Sequence, residues 1–427
     1  MLGRGGTIAG YLNPDDIVDR LVNLTLDNPG LCAPVPLAPS AVGDPQRAPN
    51  GFRIMAVRLR DATVTTKKIP VLFTGGMHGR EWVPPDALLH FAELLVEAKK
   101  NSRGVAYPTG YADGVYYENP DNPENSPYVV SAQDVRKIFD RFDIIVLPLV
   151  NPDSRWVSGT APATDRGRLM WRKNRRRVAP GACVGVDLNR NFDIGWDFQT
   201  YYDAAGARQA EISDQPCSER FRGPAAHSEP ETRNVIKLLD DHKIEVFVDV
   251  HMFGRTVTYP WAVEGNQSTN SSKSFTNTAF DHLRDGIAPT ATLYGEYLDD
   301  DVHGLLADLA TAMVKEIAGS GGVSPVARLR STYRASQSAG SEGRNETYPG
   351  GADDFAFSRQ FTAPPHRCVA FTIECGMGKH QNPDNRMEDE GGFHPEYGFV
   401  FPKIEREVHA GLFGLLKHPS WASWNPP

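Results

Sequence analysis

The feature that most constrains the fold is an alternation of apolar runs and amphipathic segments along a chain of 427 residues. Strand-like runs are predicted at residues 52–59, 69–74, 142–149, 244–250 and 368–373. Helical patterns are predicted between them, at residues 85–99, 229–241 and 305–317. This alternation favours an α/β fold with a doubly wound or mixed sheet.

The composition narrows the classes of function. The chain is 40% hydrophobic, which is enough for a large core in one large domain or two smaller ones. Its formal charge of −8 argues against a general nucleic-acid or membrane-surface binder. No apolar run is long enough to span a membrane, and the N-terminus lacks a signal-peptide core. Either the protein stays inside the cell or a leader is absent from this sequence.

Polar residues follow several of the predicted strands. His78, Asn151, His251 and Glu374 each come at or just after the end of an apolar run. Ligands of open α/β sheets gather beyond the carboxyl ends of the strands. We therefore expect these four side chains to lie along one edge of the sheet.

One of these positions has the spacing of a metal site. His78 and Glu81 lie three residues apart in a glycine-flanked turn, and nitrogen plus oxygen ligands suit zinc. The spacing alone is weak, because it recurs at His90 and His242, each with a glutamate three residues later. A catalytic zinc needs a third protein ligand, and His251 is the best candidate. A histidine in that setting is otherwise a buried core residue bonded to backbone.

Further polar groups could act beside such a metal. Asn189 and Arg190 can grip a carboxylate, and Asp187 can orient a ligating imidazole, although the segment also reads as an ordinary polar turn. Glu374 ends an apolar strand and suits proton transfer from water, unless it is a solvent-facing terminus. Among the five cysteines, Cys183 and Cys217 flank a loop that a disulfide between them could close.

Together these blocks resemble the zinc metallocarboxypeptidases of the pancreatic carboxypeptidase A/B type, the funnelin group. The resemblance covers residues from about 10 to 415 and follows the order of that family's motifs. The matching blocks are His78–Trp82, Met170–Arg175, Cys183–Asp193, Pro216–Glu219, Arg222–Glu231, Val250–His251 and Phe371–Glu374. It implies a carboxypeptidase-like fold, a mixed, twisted sheet of about eight strands flanked by helices.

The resemblance also implies roles. One zinc ion per chain would be held by His78, Glu81 and His251. Glu374 would be the general base and then the proton donor, and Arg172 would stabilise the oxyanion. The basic run that follows Arg172 is then interpreted as solvated. Asn189 and Arg190 would anchor the carboxylate of the substrate, and Arg80 would line an adjacent subsite. Asp187 would form a hydrogen bond with His78. Cys183 and Cys217 would form a disulfide.

Two further positions bear on substrate choice. Tyr348 resembles the mobile tyrosine that closes over substrate, although its spacing to the following glycines is shorter than in the pancreatic enzymes. Asp353 falls where the basic-specific branch has the carboxylate at the floor of its pocket, which predicts a preference for C-terminal Lys or Arg, with a broader specificity as the alternative. Phe253 stands where the pancreatic enzymes have a second tyrosine, and we expect it to reshape the inner subsites.

We expect residues 1–427 to form one catalytic domain without a prodomain. Inserted loops are predicted at about 101–134, 263–303, 336–346 and 376–396. The expected partners are peptide or protein C-termini, with no nucleic acid and no membrane, and the chain is expected to be a monomer. The implied disulfide favours an extracellular or periplasmic location, with the cytoplasm as the alternative.

Two other functions remain open at this point. One is a zinc amidohydrolase of the same architecture that acts on small acylated amino acids, which also carry carboxylates. The other is a non-catalytic, zinc-dependent peptide-binding module, which the presence of Glu374, Arg172 and all three ligands disfavours.

Overall fold

The structure is a computed structural model. It describes residues 10–43, 46, 48–107, 111–112, 115–116, 128–178, 183–287, 294–320, 333–341, 346–362, 366–381, 387–389, 391–398 and 400–424. The predicted loops at 101–134, 263–303, 336–346 and 376–396 each lie partly outside these ranges.

The described residues contain an eight-stranded mixed sheet, as predicted. Its strands are β1 (Cys32–Pro36), β2 (Met55–Leu59), β3 (Ile69–Gly75), β4 (Phe142–Leu147), β5 (Val246–Met252), β6 (Thr256–Tyr259), β7 (Arg334–Gln337) and β8 (Val369–Cys375). They lie side by side in the order β1-β2-β4-β3-β5-β8-β6-β7. The central strands β4, β3, β5 and β8 run parallel, and their residues are almost all buried. Four parallel carboxyl ends therefore meet at one edge.

The five predicted strands are all present, with ends that differ by up to three residues. Three strands were not predicted. β1 is a sheet-edge strand with two prolines, which lack the N–H group that a central strand needs. β6 and β7 have only four residues each, which is too short for a periodic signal.

Helices cover the sheet. They are α1 (Pro14–Asp27), α2 (Val83–Lys100), α3 (Ala132–Arg141), α4 (Pro152–Gly159), α5 (Arg166–Leu169), α6 (Phe198–Tyr201), α7 (Ala204–Gln209), α8 (Pro230–Asp241), α9 (Asp300–Ser320), α10 (Ala352–Ser358) and α11 (Phe401–Leu416). α9 begins inside the predicted 263–303 loop. That loop also contains the paired strands Gln267–Ser268 and Glu296–Tyr297, and the segment at 376–396 contains Lys379–Gln381 paired with Met387–Asp389. The remaining two-stranded pairs are Val105–Tyr107 with Tyr128–Val130 and Tyr111–Ala112 with Val115–Tyr116.

The start of α2 brings the first site residues to the edge of the sheet. β3 ends at Gly75, the chain turns through residues 76–82, and α2 begins at Val83. A Cβ atom at Gly79 would lie 2.1 Å from Oγ of Ser154 and 2.4 Å from its backbone, so only glycine allows this approach to α4. Asn151 holds the same junction, because its amide caps α4 and donates to the carbonyl of Met77 at 2.9 Å.

Helices α9 and α11 pack closely through a second glycine. A Cβ atom at Gly414 would lie 2.8 Å from Cβ of Glu316 and 2.9 Å from the carbonyl oxygen of Ala312, both in α9. Backbone atoms cannot move aside as a flexible side chain can. Gly304 in α9 differs, since nothing lies within 4 Å of a Cβ atom there.

We expect Gly414→Ala to lower the free energy of unfolding by about 1–3 kcal/mol, because overpacking the helix contact outweighs the gain in helix propensity. The matched control Gly304→Ala should raise it by about 0.4–1 kcal/mol, since only propensity and chain entropy change. Urea unfolding followed by circular dichroism measures both. A stabilised Gly414→Ala variant would contradict the close packing of α9 and α11.

Candidate active site

Three predicted ligands come together at the carboxyl edge of the sheet. His78 and Glu81 lie in the turn after β3, and His251 lies near the end of the neighbouring strand β5. One ligand atom from each residue lies within 4.8 Å of the other two. Oε1 of Glu81 is 2.7 Å from Nδ1 of His78, and Oε2 is 3.0 Å from Nδ1 of His251. All three residues are buried. Two imidazole nitrogens and a carboxylate around one point form a donor set that fits a zinc ion.

Each imidazole is also bonded through Nε2 to an aspartate, which fixes the orientation of the ring. Nε2 of His78 is 3.1 Å from Oδ1 of Asp187, and Nε2 of His251 is 2.6 Å from Oδ2 of Asp249. These bonds leave both Nδ1 atoms facing the shared point, as carboxylates behind metal-binding histidines do. Asp249 was missed by the sequence analysis, although it lies two residues before His251 and therefore projects from the same face of β5.

Asp187 links the trio to Arg172. Its Oδ2 accepts a hydrogen bond from Nε of Arg172 at 2.9 Å, while its Oδ1 also accepts the backbone N–H of Asn189 at 3.1 Å. Burial opposes ionisation of Asp187, but Arg172 and His78 hold its pKa well below the ordinary value. The carboxylate therefore stays charged and keeps the Arg172 guanidinium 4.0 Å from Glu81.

The basic run after Arg172 is only partly solvated, which corrects the interpretation from sequence: Arg177 is exposed, whereas the residues before it have partners in the fold. Lys173 is buried, with Nζ donating to the carbonyl of Pro216 at 2.9 Å. The guanidinium of Arg175 stacks on the ring of Trp171 at 4.4 Å, and Arg176 pairs with the buried Glu229 at 2.8 Å. Lys173, Arg175 and Arg176 are thus held by contacts with the rest of the fold, since their aliphatic stems pack while their charged ends find partners.

Glu374 lies beside the trio. It is the penultimate residue of β8 and pairs with His251 across the parallel β5–β8 ladder. On its other side, antiparallel β6 brings Thr256 opposite Glu374. Glu374 is partly buried and lines the same cavity of about 490 Å³ as the trio. A carboxylate that lines such a cavity can exchange protons with a water molecule inside it.

The predicted substrate-binding residues line the same cavity. The guanidinium of Arg190 donates to the backbone carbonyls of Asn189 and Glu211 and lies 5.6 Å from the ring centroid of Tyr348. Oδ1 of Asn189 accepts the N–H of Ala352 at 2.9 Å, which joins this group to the start of α10. The hydroxyl of Tyr348 donates to Oε2 of Glu346 at 3.1 Å. Arg80 donates to the carbonyl of Met170 at 3.3 Å.

Asp353 lines the cavity among hydroxyl groups. Its Oδ2 accepts hydrogen bonds from Ser338 at 3.1 Å and from Thr372 at 3.3 Å. Thr258, which pairs with Thr372 across the β6–β8 ladder, and Thr256 also line the cavity. Burial, more than any neighbouring charge, raises the pKa of Asp353. The hydroxyls were not predicted, because a Ser or Thr within a strand or just after one carries no distinctive sequence signal.

A disulfide joins Cys183 to Cys217, as predicted. The bond lies between the strand-like segment that leads to Asp187 and the loop that contains Glu219. It links two of the loops around the cavity, since Glu219 lies on the cavity wall and pairs with Arg80 at 3.6 Å.

The model of the zinc carboxypeptidase family matches residues 47–111 and 125–407. The chain belongs to the zinc carboxypeptidase family. Curated relatives include carboxypeptidase B of Helicoverpa zea, 28% identical over 227 residues that make up 52% of this chain and 41% of that protein. Carboxypeptidase A2 of Rattus norvegicus is 27% identical over 261 residues, 60% of this chain and 49% of that protein. Carboxypeptidase B of Bos taurus is 36% identical over 201 residues, 47% of this chain and 37% of that protein.

The matched part of this chain thus spans at most about half of each of these relatives. Solved structures show the same fold. Thrombin-activatable fibrinolysis inhibitor matches with a TM-score of 0.61 at 18% identity, over 96% of this chain and 74% of that one. Carboxypeptidase A of Helicoverpa armigera matches with a TM-score of 0.61 at 19% identity, over 96% of this chain and 75% of that one. Among the described helices, none has both the length and the apolar character needed to cross a bilayer.

We expect Asp249→Ala to weaken zinc binding by about 10–100-fold, because His251 loses the group that fixes its ring. Asp249→Asn should fall between this variant and the native protein, since an amide oxygen can accept the same bond without the charge. Competition with a chromophoric zinc chelator measures the affinity. Asp241→Asn, an exposed change in α8, serves as the control, and unchanged affinity in Asp249→Ala would contradict this role.

Proposed function

We propose that this chain is a zinc-dependent exopeptidase that hydrolyses the C-terminal peptide bond of peptides and proteins. The observation that carries the proposal is the convergence of a buried His–Glu–His trio, Glu374 and the Asn189–Arg190 pair on one cavity. Membership of the zinc carboxypeptidase family supports the same reaction class.

His78, Glu81 and His251 would hold one zinc ion. Two neutral imidazoles and a carboxylate are the usual protein ligands of a catalytic zinc, and Asp187 and Asp249 keep both imidazoles oriented for it. When bound, zinc would act as a Lewis acid on the scissile carbonyl and acidify an adjacent water molecule.

The protein's own groups would carry the proton and the developing charge. Glu374 would accept a proton from the attacking water and deliver it to the leaving amine nitrogen. Arg172, held in place by Asp187, would donate hydrogen bonds to the carbonyl oxygen as negative charge builds up there. Because Asp187 bonds both His78 and Arg172, this one carboxylate would position a proposed zinc ligand and the group that stabilises the oxyanion.

Asn189 and Arg190 would bind the carboxylate that defines a chain end. A guanidinium and an amide offer several N–H donors to the two oxygens of a carboxylate. Tyr348, which contacts Arg190, would cover the bound terminus. Arg80 would line the subsite for residues upstream of the scissile bond. Such an anchor would restrict cleavage to the last peptide bond.

Asp353 supports a preference for C-terminal Lys or Arg. A carboxylate surrounded by the hydroxyls of Ser338 and Thr372 can pair with a cationic side chain at the floor of the pocket. The disulfide between Cys183 and Cys217 supports an oxidising location, outside the cell or in the periplasm.

We expect the zinc-loaded protein to release one residue from a peptide with a free C-terminus and to leave the corresponding C-terminal amide intact, because the amide lacks the charge that Asn189 and Arg190 bind. Mass spectrometry of the products tests this. Release of the acyl group from small acylated amino acids, with no action on longer free peptides, would instead favour an amidohydrolase.

In the same assay Glu374→Gln should lower kcat by about 10²–10⁴-fold, because the amide cannot accept the proton. Zinc should remain stoichiometric by elemental analysis, and Glu97→Gln, an exposed change in α2, should behave like the native protein. Near-native turnover in Glu374→Gln would contradict its role as the base.

We expect Asp353→Ile to shift the ratio of kcat/KM for C-terminal arginine over leucine by at least about tenfold toward leucine, because the cationic side chain loses its partner. Since burial raises the pKa of Asp353, the native preference for arginine should fade as the pH falls and the carboxyl gains a proton. Asp353→Asn should lose the same preference without adding apolar volume. A C-terminal library gives these ratios, and an unchanged profile would mean that the floor of the pocket lies elsewhere.

A further inference from the structure

A second cavity, of about 610 Å³, borders the segment that carries Arg172. Arg172 lines the first cavity, whereas Trp171 and Arg175, on either side of it in sequence, line the second, and no described residue lines both. Oγ of Ser154 in α4 donates to the carbonyl of Arg172 at 3.2 Å, which fixes the backbone of this segment. The second cavity is therefore separate from the site of the proposed reaction, and that reaction does not use it.

Apolar side chains form much of the wall of the second cavity. They are Val42, Trp156, Val157, Trp171 and Val184. Val42 is 40% exposed, and the indole N–H of Trp171 already donates to the carbonyl of Lys173 at 2.6 Å, so both residues offer mainly apolar surface. Apolar area that stays open to water in a concave site favours a ligand that covers it.

Three arginines, Arg168, Arg175 and Arg177, also line the second cavity. Arg168 donates to Oγ1 of Thr160 at 3.0 Å, and Arg175 stacks on the ring of Trp171. Within the described part of the chain, none of the three arginines forms an ion pair. Burial lowers the pKa of Arg175 and the positive charge of Arg168 lowers it further, which Asp153 only partly offsets. Three positive charges thus line one cavity without a paired counter-charge.

The two carboxylates in the described wall do not supply that counter-charge. Asp153 is buried, and its two oxygens accept hydrogen bonds from the backbone N–H groups of Val42 and Gly43, at 2.9 and 2.6 Å. Asp165 caps α5, where its Oδ1 accepts the N–H of Arg168 at 3.1 Å. The carboxylates are therefore engaged with backbone donors, whereas the guanidinium groups of Arg175 and Arg177 donate no hydrogen bond to a described residue.

We propose that the second cavity binds a small organic oxyanion, in which a sulfonate, phosphate or carboxylate group is carried on an aromatic or other apolar body. The planar guanidinium groups of Arg175 and Arg177 would offer paired N–H donors to the oxygens of the charged group. The apolar body would lie against Val42 and Trp156 and displace water from them. Part of the basic run after Arg172 would then bind a ligand, and this inference does not rest on the proposed exopeptidase function.

The test uses the zinc-loaded full chain and isothermal titration with three probes: naphthalenesulfonate, neutral naphthol and inorganic sulfate. We expect naphthalenesulfonate to bind with a Kd below about 1 mM, and at least about tenfold more tightly than either other probe, because it alone supplies both charge and apolar area. Equal binding of naphthol would mean that the arginines contribute nothing, and equal binding of sulfate would mean that the apolar wall contributes nothing. Either result, or no binding of naphthalenesulfonate, would overturn the inference.

Arg175→Gln and Arg177→Gln should each weaken the binding of naphthalenesulfonate by about tenfold, because each removes a charged donor. Arg136→Gln, an exposed change in α3, is the matched control and should bind as the native protein does. Since Arg177 is exposed, its replacement tests the inference even if Arg175→Gln fails to fold. Native affinity in the folded variants at these two positions would overturn the inference.

A further variant separates the second cavity from the first, where Arg190 is proposed to bind a carboxylate. Arg190→Gln should leave the binding of naphthalenesulfonate to the second cavity unchanged, because Arg190 lines only the first cavity. Binding that is lost in Arg190→Gln but kept in Arg177→Gln would place the anion in the first cavity and contradict the proposal.

Discussion

The site depends on the parallel alignment of β4, β3, β5 and β8. A parallel strand delivers its carboxyl end to the same edge as its neighbours, so residues distant in sequence become adjacent without long loops. His251 and Glu374 are paired across the β5–β8 ladder, and the turn after β3 brings His78 and Glu81 against β5. A shift of one residue in that register would send Glu374 to the opposite face of the sheet.

The rigidity of this edge of the sheet depends on how its buried charged side chains are paired. A carboxylate or imidazole removed from water is costly unless partners satisfy it. Glu81, Asp187, Asp249 and Arg172 satisfy one another and the two histidines through a continuous chain of hydrogen bonds. Burial lowers the pKa of His251, but Asp249 and Glu81 more than offset this and hold it well above the ordinary value. The carboxylates around the two imidazoles therefore favour a positive charge at this point of the site.

Much of this could be predicted from the sequence. The strand-to-turn position of His78 and the apolar strands that carry His251 and Glu374 near their ends are local patterns with a direct physical meaning. Asp249 could have been found by the same reasoning, since residues two apart on a strand share a face. The hydroxyls around Asp353 and the interior partners of Lys173 and Arg176 could not, because they depend on which loops meet after folding. Phe393, which lines the cavity, belongs to the same group, because its position is set by contacts with Trp82 and Arg80 rather than by a motif.

The segment around Phe393, which belongs to the insertion predicted at 376–396, also helps to fix the turn that carries His78 and Glu81. A turn that carries two proposed ligands at an exposed sheet edge would otherwise have few packing contacts to fix it. Here Trp82, just after Glu81, is buried against Tyr11 from the N-terminal segment and His394 from the insertion, and its carbonyl accepts a bond from the buried Arg155. Arg155 is itself paired with Asp86 at 2.9 Å, one turn into α2. The N-terminal segment, α4 and the segment around Phe393 therefore converge on the residue next to a proposed ligand, and Phe393 also lines the cavity. A change that loosens this segment would therefore alter both the support of the turn and the shape of the cavity wall.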